Sequence, residues 1–236
     1  MFEVGSVALT IHVILAGLWL GADLGTFLSF RKVIDPTLSV ESRLEMSRYF
    51  ALIDMGPRSA LVAMFGLGIY LSHARWASFS AGWWEVAGQA AMLASVLWLA
   101  AVWVLFWIQH PKPGQSRTAG QVAAGKRLAT TDLLFRMVVV VFLLTAGVSS
   151  ITGGEPSPLD VLGWKMVLLA GIVSVGIGLR FILPGVVGAM TDIFVNGSTP
   201  EREALLVRRA RPTQGLVFII WTLVIIIIWI SVSNIP

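Results

Sequence analysis

Apolar residues gather in six long stretches, at about 6–30, 57–73, 86–109, 133–152, 161–183 and 213–233. Roughly 20 consecutive apolar residues cover a bilayer as a helix, so the pattern predicts an all-α, polytopic transmembrane bundle of about six spanning helices. The second stretch is short. The more polar segment from Glu41 to Asp54 reads as a helix on the membrane surface that leads into it, and Pro57 suits the first turn of the new helix, where its missing N–H costs nothing. Residues 184–208 read as a surface segment, with Val186, Val187, Met190 and Phe194 on lipid, before a helix start at Ser198-Thr-Pro-Glu201. Pro57-Arg-Ser-Ala-Leu61-Val62 is echoed by Pro212-Thr-Gln-Gly-Leu216-Val217, and each opens a span.

Composition agrees with this reading. Hydrophobic residues make up 56 % of 236 and charged residues 13 %, and mean hydropathy is +0.83. Soluble domains carry about 25 % charged residues, so residues 1–236 read as one integral membrane domain. Glu3 stands where a secretory leader has basic residues, so the first apolar run reads as a retained anchor. There is no cysteine, which excludes disulfides, iron–sulfur clusters, covalently attached haem and thiolate metal sites.

The net charge of +4 reflects membrane orientation rather than nucleic-acid binding, because the basic residues lie between apolar spans. All but Arg75 and Lys165 of the 17 Lys and Arg residues fall in or beside alternate loops. The positive-inside rule then puts both termini outside and three long loops in the cytoplasm, as in a multi-pass protein of the bacterial inner membrane. Trp76, Trp83, Trp84 and Trp164 cluster at the outer ends, as an interfacial aromatic belt does.

Against this apolar background His12 stands out, in a span that also holds Trp19, Gly21 and Asp23. Ionisable residues inside a membrane face a protein interior, a ligand or water. At about 1.5 Å per residue His12 lies about 10 Å below the outer end of its span. Tyr70, His73, Met92 and Lys165 share that outer level, with Arg75 just above. Two imidazoles from different helices ligate a haem b iron, and cations at the rim neutralise its propionates. On that reading His12 and His73 are ligands, Arg75 and Lys165 propionate partners, and Trp19 and Tyr70 line the cofactor. Gly17, Gly21, Gly66 and Gly68 then permit close approach of a macrocycle or of neighbouring helices.

Imidazole and thioether also suit Cu(I), giving His12, His73 and Met92 as a copper alternative, with Met166 a further candidate. A third reading is an accessory or assembly subunit of a larger membrane complex, in which His12 only hydrogen-bonds a neighbouring helix. A second polar level nearer the cytoplasm holds Asp23, Arg31, Asp54, Arg58, Arg136 and Arg180, with Arg58 or Arg136 the expected partner of Asp23. The partners expected are the lipid bilayer and a membrane redox partner or a second copy of the chain, with no nucleic acid.

Several of these residues form patterns. His12, Trp19 and Gly21 resemble the opening helix of the CopD/HemJ-like bacterial membrane proteins, which include copper-resistance D proteins and HemJ-type protoporphyrinogen oxidases. Pro57-Arg-Ser-Ala-Leu-Val-Ala-Met-Phe-Gly66-Leu-Gly68 is similar to the second helix of that group. Leu162-Gly163-Trp164-Lys165 resembles its Trp/Lys helix start, and Arg209-Ala-Arg211-Pro212 the entry to the final helix. The resemblance implies haem b held through His12, with Lys165 a functional cation. It further implies oxidation of protoporphyrinogen IX with electrons passed to the respiratory chain, or copper handling across the inner membrane.

Overall fold

Long runs without strand-favouring alternation leave the backbone one way to satisfy its N–H and C=O groups away from water, which is the helix. The computed structural model describes residues 4–75, 82–111, 116–153 and 158–233. It has seven helices: α1 (Val4–Val33), α2 (Val40–Ile53), α3 (Met55–Arg75), α4 (Gly82–Gln109), α5 (Ala119–Thr152), α6 (Pro158–Asn196) and α7 (Pro200–Ser233). Six stretches are long and apolar enough to cross a membrane, with α2 and α3 counted together as one. Large apolar side chains such as Ile14, Leu93, Val138 and Trp229 stand more than half exposed, as a lipid-facing surface requires.

Helix ends follow local chemistry. Asp35 closes α1 by accepting from the Thr37 hydroxyl (2.7 Å) and backbone N–H (3.0 Å), and these bonds hold its carboxyl below the usual carboxylate range. Ser39 caps α2 through the Ser42 N–H. Thr118 and Gln121 form a reciprocal capping box at α5. Gly197, at φ +83°, turns the chain out of α6, and Thr199 then caps α7 ahead of Pro200.

Three sequence expectations change. α5 begins at Ala119 rather than near residue 133, because Lys126, Arg127 and Asp132 lower its hydropathy without breaking its backbone bonds. α6 continues through Pro184 to Asn196, so the first half of the expected surface segment is the last third of one helix. α7 likewise runs through Pro212, joining the polar Pro200–Arg211 stretch to the last span.

Clustering of the chain gives two units, residues 1–23 with 54–135 and residues 24–53 with 136–236. In the first, α1 and α3 run antiparallel. Ala22 meets Gly56 at one contact, and His12 meets Gly68 at the other. α4 packs antiparallel on α3, with Gly88 against Tyr70, Gly66 against Ser95 and Ala91, Phe65 against Trp98, and Trp103 donating to Ser59 Oγ (3.2 Å).

In the second unit, α5 and α6 approach most closely at Gly147 and Gly163, where a Cβ on either would lie 2.8 Å from the other's carbonyl oxygen. α6 and α7 form an antiparallel hairpin around Val186, Ala189, Ile193, Leu206 and Ala210, joined by Phe30 of α1. Arg43 of α2 is buried at the end of this hairpin, at 1 % exposure. Its Nε donates to Val33 O (2.7 Å), and its two Nη atoms reach both Glu203 carboxylate oxygens (2.7 and 3.1 Å). Ser198 Oγ adds a third donor to Glu203 (2.7 Å).

Candidate functional site

His12 is half-buried on α1, and its Nδ1 is shut off from solvent. Its Cε1 lies 3.6 Å from where a Cβ on Gly68 would stand, an ordinary van der Waals distance, so the imidazole packs against α3 at this position. One turn earlier, Ala8 packs with Leu67 and Leu71, and Tyr70 and Met92 close on the same cluster. Three helices of the first unit thus bring Ala8, Tyr70 and Met92 onto one small apolar core, one turn from His12. Trp19 is buried at 7 % exposure, two turns along α1.

His73 and Arg75 belong to the last turns of α3, and their side chains lie outside the described residues. In the antiparallel register the His73 position lies five residues beyond Gly68, about 8 Å from the level of His12. Lys165 is half-buried on α6 in the second unit. Met166 is buried beside it at the Gly147 crossing. Trp164 is 50 % exposed, as a residue of an interfacial belt is, whereas the side chains of Trp76, Trp83 and Trp84 lie outside the described residues.

The glycines separate into two kinds. Gly66 allows α3 and α4 to approach closely, whereas a Cβ on Gly68 would make only ordinary contact with His12. Gly17 and Gly21 have nothing within 4 Å of where a Cβ would stand, and pack no neighbour among the described residues. Among the described residues no three His, Cys, Asp or Glu side chains gather as a metal site. A haem iron needs only one or two protein ligands, and a methionine thioether, which can ligate haem or Cu(I), is not among those four residue types.

One buried group has no counterpart among the sequence expectations. Asp132 of α5 is 5 % exposed and accepts a 2.6 Å hydrogen bond from Trp98 Nε1. Trp98, itself 6 % exposed, stands edge-on to Phe65 (6.3 Å) and Phe135 (4.7 Å). Trp98 lies midway along α4, so Asp132 of α5 meets it at mid-length of that bilayer-length helix. A carboxylate there costs about 2.5–3.5 kcal/mol on insertion scales unless it is compensated. Arg136, one turn on along α5, is buried to 7 % exposure. Arg58, one of the cations expected near Asp23, makes an ion pair with Asp54, four positions earlier at the turn between α2 and α3.

This gives a direct test of the Asp132 contact. Trp98→Phe removes the N–H donor and keeps the ring, and should destabilise by about 1.5–3 kcal/mol, the range for a bond to a charged group. Asp132→Asn keeps an acceptor and should cost less. Thermal melting of both variants in mild detergent checks the order, and equal melting of Trp98→Phe and parent would show that the bond contributes nothing.

No protein-family model matches the chain, and no curated protein or solved structure is similar to it.

Proposed function

We propose that the chain is a redox protein of the bacterial inner membrane, holding haem b through His12 for electron transfer or a porphyrin-linked oxidation. The observation that carries this reading is a half-buried imidazole on a membrane helix, packed against Gly68 of the neighbouring helix. An imidazole so placed is costly in lipid and suited to axial ligation. The donor chemistry fits haem b, with a second histidine position, His73, on the helix against which α1 packs.

In this reading His12 would hold the haem, with His73 as a second ligand. Tyr70 and Trp19 would exclude water, and Arg75 would neutralise a propionate. Haem supplies one-electron chemistry when bound; the helices set its orientation and its access to solvent. Both termini lie outside, so the site belongs to the outer half of the membrane, in keeping with the CopD/HemJ-like resemblance.

A copper-handling role is the second reading. It is favoured by Met92, whose thioether packs on the Ala8–Leu67–Leu71 cluster, one helical turn along α1 from His12. One preparation separates the two readings. Protein purified in mild detergent after expression with ample haem should show a Soret band, and α and β bands that sharpen with dithionite. His12→Ala should abolish them. A featureless spectrum in a well-folded parent protein removes the haem reading, and copper bound in its place, lost in Met92→Leu, establishes the second.

A further inference from the structure

The α6–α7 hairpin carries an imbalance of charge that its own residues do not resolve. Its carboxylates are engaged near the turn. Glu203 is held by Arg43, and Asp192 accepts from Arg202 Nε (2.9 Å). Glu201, at the first turn of α7, lies beside Arg202 and two turns before Arg208. Arg208, Arg209 and Arg211 then follow within four positions and are all exposed. Among the described residues Arg208 and Arg211 make no ion pair or side-chain hydrogen bond.

Arg209 is different, because its Nη1 donates to Gly185 O on α6 (2.9 Å). That bond fixes the guanidinium beside Pro184 and leaves its other donors outward. Phe181, Pro184, Gly185 and Gly188 recur on one face of α6 at helical spacing. Phe181 is 70 % exposed, and the next three residues give a flat strip without bulky side chains. Immediately after Arg211 the chain enters its last apolar span. Cations and an apolar strip therefore meet where headgroups meet acyl chains.

We propose that Arg208, Arg209 and Arg211, together with the Phe181–Gly188 face of α6, form a binding surface for an anionic glycerophospholipid. The lipid phosphate lies on the guanidiniums, with Arg209 as the fixed donor, and an acyl chain runs along Phe181 and Pro184. Basic residues at the membrane surface attract anionic headgroups at about 1 kcal/mol each, roughly fivefold in affinity. The surface is independent of any cofactor at His12.

Native mass spectrometry of the full chain released from detergent, with phosphatidylglycerol or phosphatidylcholine added, tests it. The parent should retain phosphatidylglycerol preferentially. Each of Arg208→Gln, Arg209→Gln and Arg211→Gln should lower that preference about fivefold and leave phosphatidylcholine retention unchanged. Arg209→Lys, which keeps the charge but not the planar fork, should fall between. Preference retained in the triple glutamine variant overturns the proposal. So does displacement of phosphatidylglycerol by inorganic phosphate, which would mark a small-anion site rather than a lipid surface.

Discussion

Glu203→Ala is expected to lower stability by about 3–5 kcal/mol, because it strands a buried guanidinium. Arg43 is 1 % exposed, and besides Glu203 its contact is a single bond from Nε to Val33 O. With the carboxylate removed, two Nη groups face a closed apolar hairpin end without an acceptor. In mild detergent the melting temperature should fall on the order of 10 °C for a chain of this size. The double substitution Arg43→Met with Glu203→Leu should melt above Glu203→Ala, since it removes both charges and refills the volume. Melting of Glu203→Ala together with the parent would show that the pair contributes nothing to the fold.

Gly66→Ala should be nearly as costly, at about 1–3 kcal/mol, and Gly66→Val more so. A methyl there would lie 2.5 Å from Ser95 Oγ and 2.8 Å from the Ala91 carbonyl oxygen. The hydroxyl is the end of a small side chain and can be removed, but the carbonyl belongs to the α4 backbone. Adding Ser95→Ala to Gly66→Ala should therefore restore only part of the loss. Ser95 Oγ is buried and finds no partner among the described residues, so its removal alone should be close to neutral. Gly17→Ala serves as the control: nothing surrounds that position, and alanine should match glycine or gain up to about 1 kcal/mol in helix propensity. Equal melting of Gly66→Ala and parent would mean that α3 and α4 have room to part.

The contrast between those two glycines shows what was legible in the sequence. Six spans could be read because a bilayer sets a length threshold and the chain meets it six times. The helix starts at Pro57 and at Thr199-Pro200 could be read because capping is local. The end of α6 could not. Pro184 marks a break by local rules, yet a helix on the hydrocarbon boundary gains more from keeping its remaining backbone bonds than from exposing them.

Partners far apart in sequence were equally hidden. Trp98 and Asp132 are separated by 34 positions, and tryptophan in such a chain reads first as an interfacial residue. Arg43 counted toward orientation as one loop cation among several, although it is the most deeply buried charge described. Tyr70 and Met92 pack on one cluster with Ala8, one turn from His12, a neighbourhood that depends on how each helix is rotated as well as on depth. Which glycine would face the imidazole, Gly68 rather than Gly17 or Gly21, depends on helix rotation, which the sequence does not fix.

The Arg43–Glu203 clasp also constrains the order of synthesis. Its two residues lie 160 positions apart. At the usual pace of translation, Arg43 leaves the ribosome about 8–30 s before its carboxylate exists. Throughout that interval four further spans are made, and the guanidinium has no permanent counter-charge. It can wait only in water or among headgroups, so α2 has to remain at the surface until α7 begins to emerge. Closure of the second unit is thereby tied to a residue in the final helix, and a chain truncated before Glu203 would expose its unfinished state through a single unburied arginine.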